Sequence, residues 1–233
     1  MPSPVPGWSL ALAVAASAAS AVGAWVAHDD DAVFRFEDPA IVESSGLVVQ
    51  DGVVVTVNDS GNDAVLFSVD PASGRTVSVT RFAESQVDVE ALAPAGEGAV
   101  WVGDIGDNQG ERSSISVTRV PLDGSAGSAT AELAYPDGRG RDAETLLRDP
   151  RGGGLYVVTK SLAGGEVYRA PKVLDPDAPN RLVAVGEVAG LLTDGAFFPD
   201  GRHVILRGYG SAWVYRVPGF QLVAEVDLPA QPQ

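Results

Sequence analysis

The sequence predicts an all-β fold, a β-propeller of four-stranded antiparallel blades, on three observations. After His28 no helical periodicity is sustained, and short Val-rich runs alternate with Gly, Asp, Asn and Pro clusters. Those runs repeat one order four times, at spacings of about 45, 54 and 51 residues when anchored on Gly46, Ala91, Thr145 and Ala196, the length of one propeller blade. The third strands of the last three copies also end alike, in Thr118-Arg119-Val120-Pro121, Tyr168-Arg169-Ala170-Pro171 and Tyr215-Arg216-Val217-Pro218. An irregular sandwich rarely keeps one four-strand grammar.

Each copy supplies strands A, B and C and an outer strand D. In the first, Glu43-Ser44-Ser45-Gly46-Leu47 opens strand A, Gln50-Asp51-Gly52 turns the chain, residues 53–57 form B, Asn58-Asp59-Ser60-Gly61 is the next turn, and residues 64–70 and 76–82 are C and D. The second runs from Asp88-Val89-Glu90-Ala91-Leu92 through residues 100–103, the loop Asp104-Ile105-Gly106-Asp107-Asn108, residues 115–120 and residues 131–135. The third has Asp142-Ala143-Glu144-Thr145-Leu146, residues 155–159, a loop over 160–165, residues 167–170 and residues 182–188. The fourth has Thr193-Asp194-Gly195-Ala196-Phe197, residues 203–206, Arg207-Gly208-Tyr209-Gly210, residues 212–217 and residues 222–228. Trp101, Tyr156 and Val204 fall at equivalent B-strand positions and read as blade-to-blade packing, as do Tyr168 and Tyr215.

The chain ends carry a further expectation. Residues 32–36 look like a D strand without its own A, B and C, and residues 229–233 resemble the run-up to another A strand. Propellers usually share their last blade between the two chain ends, which removes open edges. The expectation is four complete blades plus an orphan N-terminal strand, from a five-bladed design lacking one partial blade; an open or four-bladed ring is the alternative.

A 45% share of hydrophobic residues against 20% charged supports a packed core, so the Gly and Pro content reads as turns. The formal charge of −15 argues against nucleic acid or an anionic membrane surface as partner and leaves cations open. With no cysteine, disulfides, thiolate metal sites and cysteine nucleophiles are excluded. Residues 8–27 are uncharged, rich in Ala, Leu and Val, and end in small-x-small triplets such as Ala16-Ser17-Ala18, although no Lys or Arg precedes them. They read as an export signal, with a retained membrane anchor as alternative. Residues 1–27 are thus assigned to the signal or anchor, residues 28–233 to a secreted or extracytoplasmic propeller domain, and any membrane contact to the N-terminal segment alone.

Antiparallel connectivity places the D-to-A segments and the B-to-C turns at one end of every blade. That end collects Glu43, Asp88, Glu90, Asp142, Glu144 and Asp194 from the first kind, and Asp59, Asp104, Asp107 and Asn108 from the second. Carboxylates crowded at a channel mouth need a cation or a shared proton. Hard oxygen donors, with no cysteine and with His203 assigned to the other end, favour Ca²⁺ or Mg²⁺ over zinc. Glu43, Asp88, Glu90, Asp104, Asp107, Asp142 and Glu144 are the candidate metal ligands, and Ca²⁺ is the candidate ion. Asp59 and Asn58 read as turn formers as readily as ligands. Asp107-Asn108 lacks the later bidentate Glu of an EF-hand loop. Lys160, Arg207 and Tyr209 are candidate ligand-binding residues: the two cations occupy B-to-C positions where other blades carry acids. They either pair with the acidic ring or bind an anionic group. A Ser-His-Asp triad is disfavoured, since His28 adjoins the export segment and His203 lies away from the acidic end.

At Glu43-Ser44-Ser45-Gly46-Leu47, Asn58-Asp59-Ser60-Gly61, Gly103-Asp104-Ile105-Gly106-Asp107-Asn108, and Tyr135-Pro136-Asp137 through Asp142-Ala143-Glu144, the chain resembles a family of secreted bacterial β-propeller proteins. That family is loosely related to phytase-like and NHL-like propellers, and the likeness covers about residues 32–233. The resemblance implies the fold, and also a further Gly-Glu-containing A strand after residue 233, but no catalytic role. Two function classes follow: a binding or scaffold propeller, for an unidentified ligand or protein, whose acidic mouth holds a divalent cation; or a metal-dependent hydrolase of phosphoesters or other esters. In the second, Lys160 and Arg207 would hold the anionic substrate.

Overall fold

The computed structural model describes residues 33–124 and 127–228; the export segment, Ala32 and residues 229–233 lie outside them. Blade 1 comprises β1 (Ser44–Gln50), β2 (Val53–Asn58), β3 (Val65–Asp70) and β4 (Arg75–Arg81), hydrogen-bonded in that order. Blade 2 is β5 (Val89–Gly96), β6 (Ala99–Asp104), β7 (Ile115–Pro121) and β8 (Ala129–Ala134). Blade 3 is β9 (Ala143–Arg148), β10 (Leu155–Thr159), β11 (Gly165–Arg169) and β13 (Val183–Val188). Blade 4 is β14 (Leu192–Phe197), β15 (His203–Gly208), β16 (Ser211–Arg216) and β17 (Gln221–Asp227). The result is all-β, four antiparallel sheets in a four-blade propeller arrangement, with no helix among the described residues.

Local chemistry accounts for the hairpins. Asp51 (φ 51°) and Gly52 (φ 82°) form the two-residue turn between β1 and β2, and Glu97 (φ 52°) and Gly98 (φ 66°) do the same between β5 and β6. Paired positive φ values match the right-handed twist of the flanking strands. The blades then pack because successive side chains on a strand point to opposite faces. Val157 and Leu146 serve the core between blades 2 and 3, while their neighbours Val158 and Leu147 serve the core between blades 3 and 4. A third core, with Val55, Val57 and Leu66 facing Leu92, Val100 and Val102, joins blades 1 and 2. Among the described residues no comparable cluster joins blade 4 back to blade 1.

Two elements differ from expectation. Residues 33–36 form no strand. The segment instead crosses blade 1, donating one backbone hydrogen bond from Glu37 N to Gly74 O (2.8 Å), and Asn58 holds its far end by donating to Ala40 O and accepting from Val42 N. It meets the β3–β4 turn rather than a sheet edge, so no ladder can extend. Gly74 makes that crossing feasible, since a Cβ there would fall 2.0 Å from Arg35 O. The described residues thus do not show the expected orphan strand or a five-bladed plan, part of which falls on residues outside them. The second difference is β12 (Asn180–Arg181), which the sequence did not announce: it pairs parallel to β8 and makes blade 2 five-stranded. The Asn180 side chain anchors it, donating to Glu132 O (3.0 Å) and Asp175 O (2.9 Å).

Candidate acidic site at the propeller mouth

The innermost strands β1, β5, β9 and β14 all begin at one end of their blades, where β2, β6, β10 and β15 finish. Backbone hydrogen bonds tie the first three pairs together there: Asp59 N to Glu43 O (2.9 Å), Gly106 N to Asp88 O (3.0 Å) and Lys160 N to Asp142 O (2.9 Å). The D-to-A segments and B-to-C turns therefore share one mouth, and the mouth divides into three groups of side chains.

The first group spans blades 1 and 2. Asp59, Asp88 and Glu90 each present a carboxylate oxygen, and the three oxygens lie within 4.8 Å of one another. Ser45 Oγ donates to Glu90 Oε2 (3.1 Å) and to Glu90 O (3.2 Å), and the Ser60 side chain hydrogen-bonds Asp88. Burial, reinforced by the charges of Asp59, Glu144 and Asp88, pushes the Glu90 carboxyl up to about 8. Burial and the Asp59 charge raise Asp88 as well. Gly106 closes over the pair so tightly that a Cβ would sit 2.4 Å from Asp88 Oδ2 and 2.9 Å from Glu90 Cγ. Among the described residues, no Lys or Arg contacts any of the three carboxylates.

The second group holds the loop after β6. Asp104 accepts from Val87 N (2.8 Å), from Asp88 N (3.1 Å) and from Arg112 Nη1 (2.7 Å). Asp107, buried, accepts from Glu111 N (2.9 Å) and Arg112 N (3.0 Å), while its own N–H donates to Asp142 Oδ1 (3.0 Å). These three acids hydrogen-bond the chain to itself, and the Asp142 charge still acts to raise Asp88.

The third group spans blades 3 and 4. Lys160 Nζ pairs with Glu144 Oε1 and donates to Tyr209 OH (3.3 Å), with the ammonium 5.6 Å from the Tyr209 ring centre. Burial raises the Glu144 carboxyl even with Lys160 beside it. Arg207 donates from Nη1 to Thr193 Oγ1 (3.3 Å), and Asp194, its register partner on β14, accepts from Gly195 N (2.7 Å). Burial pushes the Asp194 carboxyl up to about 7. Glu43 stays exposed, with Asn62 Nδ2 at 3.5 Å as its side-chain neighbour.

The structure thus brings Asp88 and Glu90 together with Asp59, which the sequence left open between turn former and ligand. Its B-to-C position was signal enough to place it at the mouth. That this turn leans onto the first strand of the next blade was not visible in the sequence.

No family model matches the chain, and no curated protein matches it by sequence. Solved structures do resemble it. A gluconolactonase of Xanthomonas campestris superposes with a TM-score of 0.55 at 19% identity, over 80% of this chain and 63% of that one. A functionally unknown protein of Desulfotomaculum acetoxidans gives 0.51 at 16% identity over 80% and 56%, and hydrazine synthase of Kuenenia stuttgartiensis 0.50 at 13% over 84% and 51%. The chain spans less than two thirds of each. At such identities the likeness is one of architecture, and what it shows is that this chain has a β-propeller fold.

Proposed function

We propose that the protein is an extracytoplasmic β-propeller binding module whose mouth holds a divalent cation on Asp59, Asp88 and Glu90. One observation carries the reading: these carboxylates crowd within 4.8 Å with no cationic side chain in contact, whereas the neighbouring acids Asp104 and Glu144 have Arg112 and Lys160. Three carboxylates with no cationic side chain in contact resist full ionisation at that separation unless a cation joins them, even with the Arg112 charge acting on Asp88. All donors are hard oxygens, which suits Ca²⁺ or Mg²⁺. Ca²⁺ binds oxygens at about 2.3–2.6 Å, so opposed ligands stand about 4.6–5.2 Å apart, and the observed spread fits within that shell. Ser45, Ser60 and the tight Gly106 backbone hold Asp88 and Glu90 in place.

Calorimetry after EDTA treatment tests the reading. Ca²⁺ is expected to bind with one site and to raise the melting temperature, and Asp88→Asn with Glu90→Gln is expected to abolish both effects. Absence of heat and of a melting shift with Ca²⁺ and Mg²⁺ alike would overturn it. The binding reading also expects no turnover of phosphoester, ester or lactone substrates in the presence of Ca²⁺; saturable hydrolysis lost in Glu90→Gln would replace it with the hydrolase reading.

A further inference from the structure

Arg207 lies on the blade 4 side of the mouth with no carboxylate in contact, although the Asp194 charge acts on it from across the strand pair. Each of Arg112, Arg141 and Lys160 reaches a carboxylate: Asp104, then Asp137 and Glu166, then Glu144. Among the described residues no carboxylate oxygen lies within 4.0 Å of the Arg207 guanidinium, although Asp194 stands opposite it in the β14–β15 register. Asp194 Oδ1 is engaged by Gly195 N instead, and burial favours its neutral form. Of the guanidinium nitrogens only Nη1 has a partner, Thr193 Oγ1 at 3.3 Å, and Nε is buried with none. A part-buried guanidinium held by one neutral hydrogen bond is costly, and its Nη2, which has no hydrogen-bond partner among the described residues, is the donor left for a carboxylate or phosphate oxygen. Tyr209, 40% exposed, and Lys160, which donates to its hydroxyl, stand alongside.

We propose that Arg207, flanked by Tyr209 and Lys160, forms an oxyanion subsite that takes the carboxylate or phosphate group of a small ligand. It is distinct from the carboxylate triad, which lies on blades 1 and 2. The protein's net charge of −15 opposes a free anion, so binding to the metal-free protein is weak, on the order of millimolar. A cation on the triad would offset part of that field and tighten it; only this last clause rests on the cation reading.

Nitrogen-15 spectra of the Arg Nε–Hε groups test the subsite directly, with acetate and inorganic phosphate as probes in EDTA. The Arg207 resonance, identified by its loss in Arg207→Lys, is expected to shift saturably with at least one probe, and which probe acts separates a carboxylate from a phosphate site. Calorimetry is expected to show at least tenfold weaker binding in Arg207→Lys, which keeps the charge and loses the fork, and no change in Arg202→Lys at the opposite end of the blade. In Ca²⁺ the wild-type affinity should rise, and Asp88→Asn should remove only that increment. An unmoved Arg207 resonance, or equal binding by Arg207→Lys, overturns the proposal. Absence of any Ca²⁺ increment in the wild-type protein, with anion binding intact in EDTA, overturns the cation reading and leaves the subsite standing.

Discussion

Calcium binding should be coupled to the release of a proton from Glu90. Burial, with Asp59, Glu144 and Asp88 close by, holds this carboxyl up to about 8, so at pH 7 it is about nine-tenths protonated and Ca²⁺ must displace the proton to use it. The affinity should therefore rise about tenfold per pH unit below 8 and level off above it. Between pH 6 and pH 8, at the second of which the group is half ionised, that is a factor of about 50, or about 2.3 kcal/mol. Titrations in buffers of different ionisation enthalpy report the coupling, and about 0.9 proton per Ca²⁺ is expected at pH 7. Glu90→Gln should bind at least tenfold more weakly and without pH dependence across this range. The sign for the metal-free fold is opposite. Because the folded value lies above the ordinary value of 4.5, the contribution of this group to stability is fully present below about 4.5 and is lost as pH rises through about 8. Added Ca²⁺ should restore stability most at alkaline pH. Calcium affinity that is flat from pH 6 to 8, with no proton released, would refute the assignment of Glu90 as a ligand.

Other predictions follow from single contacts. Asp194, held up to about 7 by burial, should cost the fold stability as pH rises from about 4 to 7; urea unfolding of Asp194→Asn should show a shallower decline over that window, and parallel curves would count against the burial argument. Gly106→Ala would drive a Cβ into Asp88 and Glu90, destabilising the protein by about 1–3 kcal/mol and weakening Ca²⁺ binding, whereas Gly127→Ala, with nothing within 4 Å, should be neutral in both assays. Arg141 forks onto Asp137 (2.8 and 3.0 Å), reaches Glu166 (3.0 Å) and stacks over Tyr135 and Tyr168 at 5.0 and 5.4 Å; Arg141→Ala should cost about 2–4 kcal/mol in chemical unfolding and Arg141→Lys nearly as much, since an ammonium lacks the fork. If the N-terminal segment is an export signal, N-terminal sequencing of the secreted protein should begin near His28, and a start at Met1 would refute cleavage.

How much of this could be read in advance differs from feature to feature. The sixteen principal strands were legible because their signals are local: alternating apolar residues, and turns such as Asp51-Gly52 whose backbone only a few residues accept. Tyr168 and Tyr215, expected as packing residues, are buried in the cores on either side of blade 3. Residues 33–36 carry the same local pattern, yet a strand also needs an edge to pair with, and the chain presents them to a turn. Strand β12 was missed for the complementary reason, since two residues anchored by one buried Asn180 have no periodicity to detect.

By itself the sequence determined that this is a repeating all-β chain and that its acids gather at one end of the blades, because strand alternation and antiparallel connectivity are properties of order along the chain. Only the tertiary structure decided which acids are free. Asp104 and Arg112 are eight positions apart and could have faced either way, Lys160 could have met any carboxylate of the mouth, and Asp59 joins Asp88 and Glu90 only because the β2–β3 turn of one blade leans over the first strand of the next. Charge compensation depends on distances of a few ångströms between blades, and those are set by how side chains such as Val57, Leu66 and Leu92 pack in the core between them.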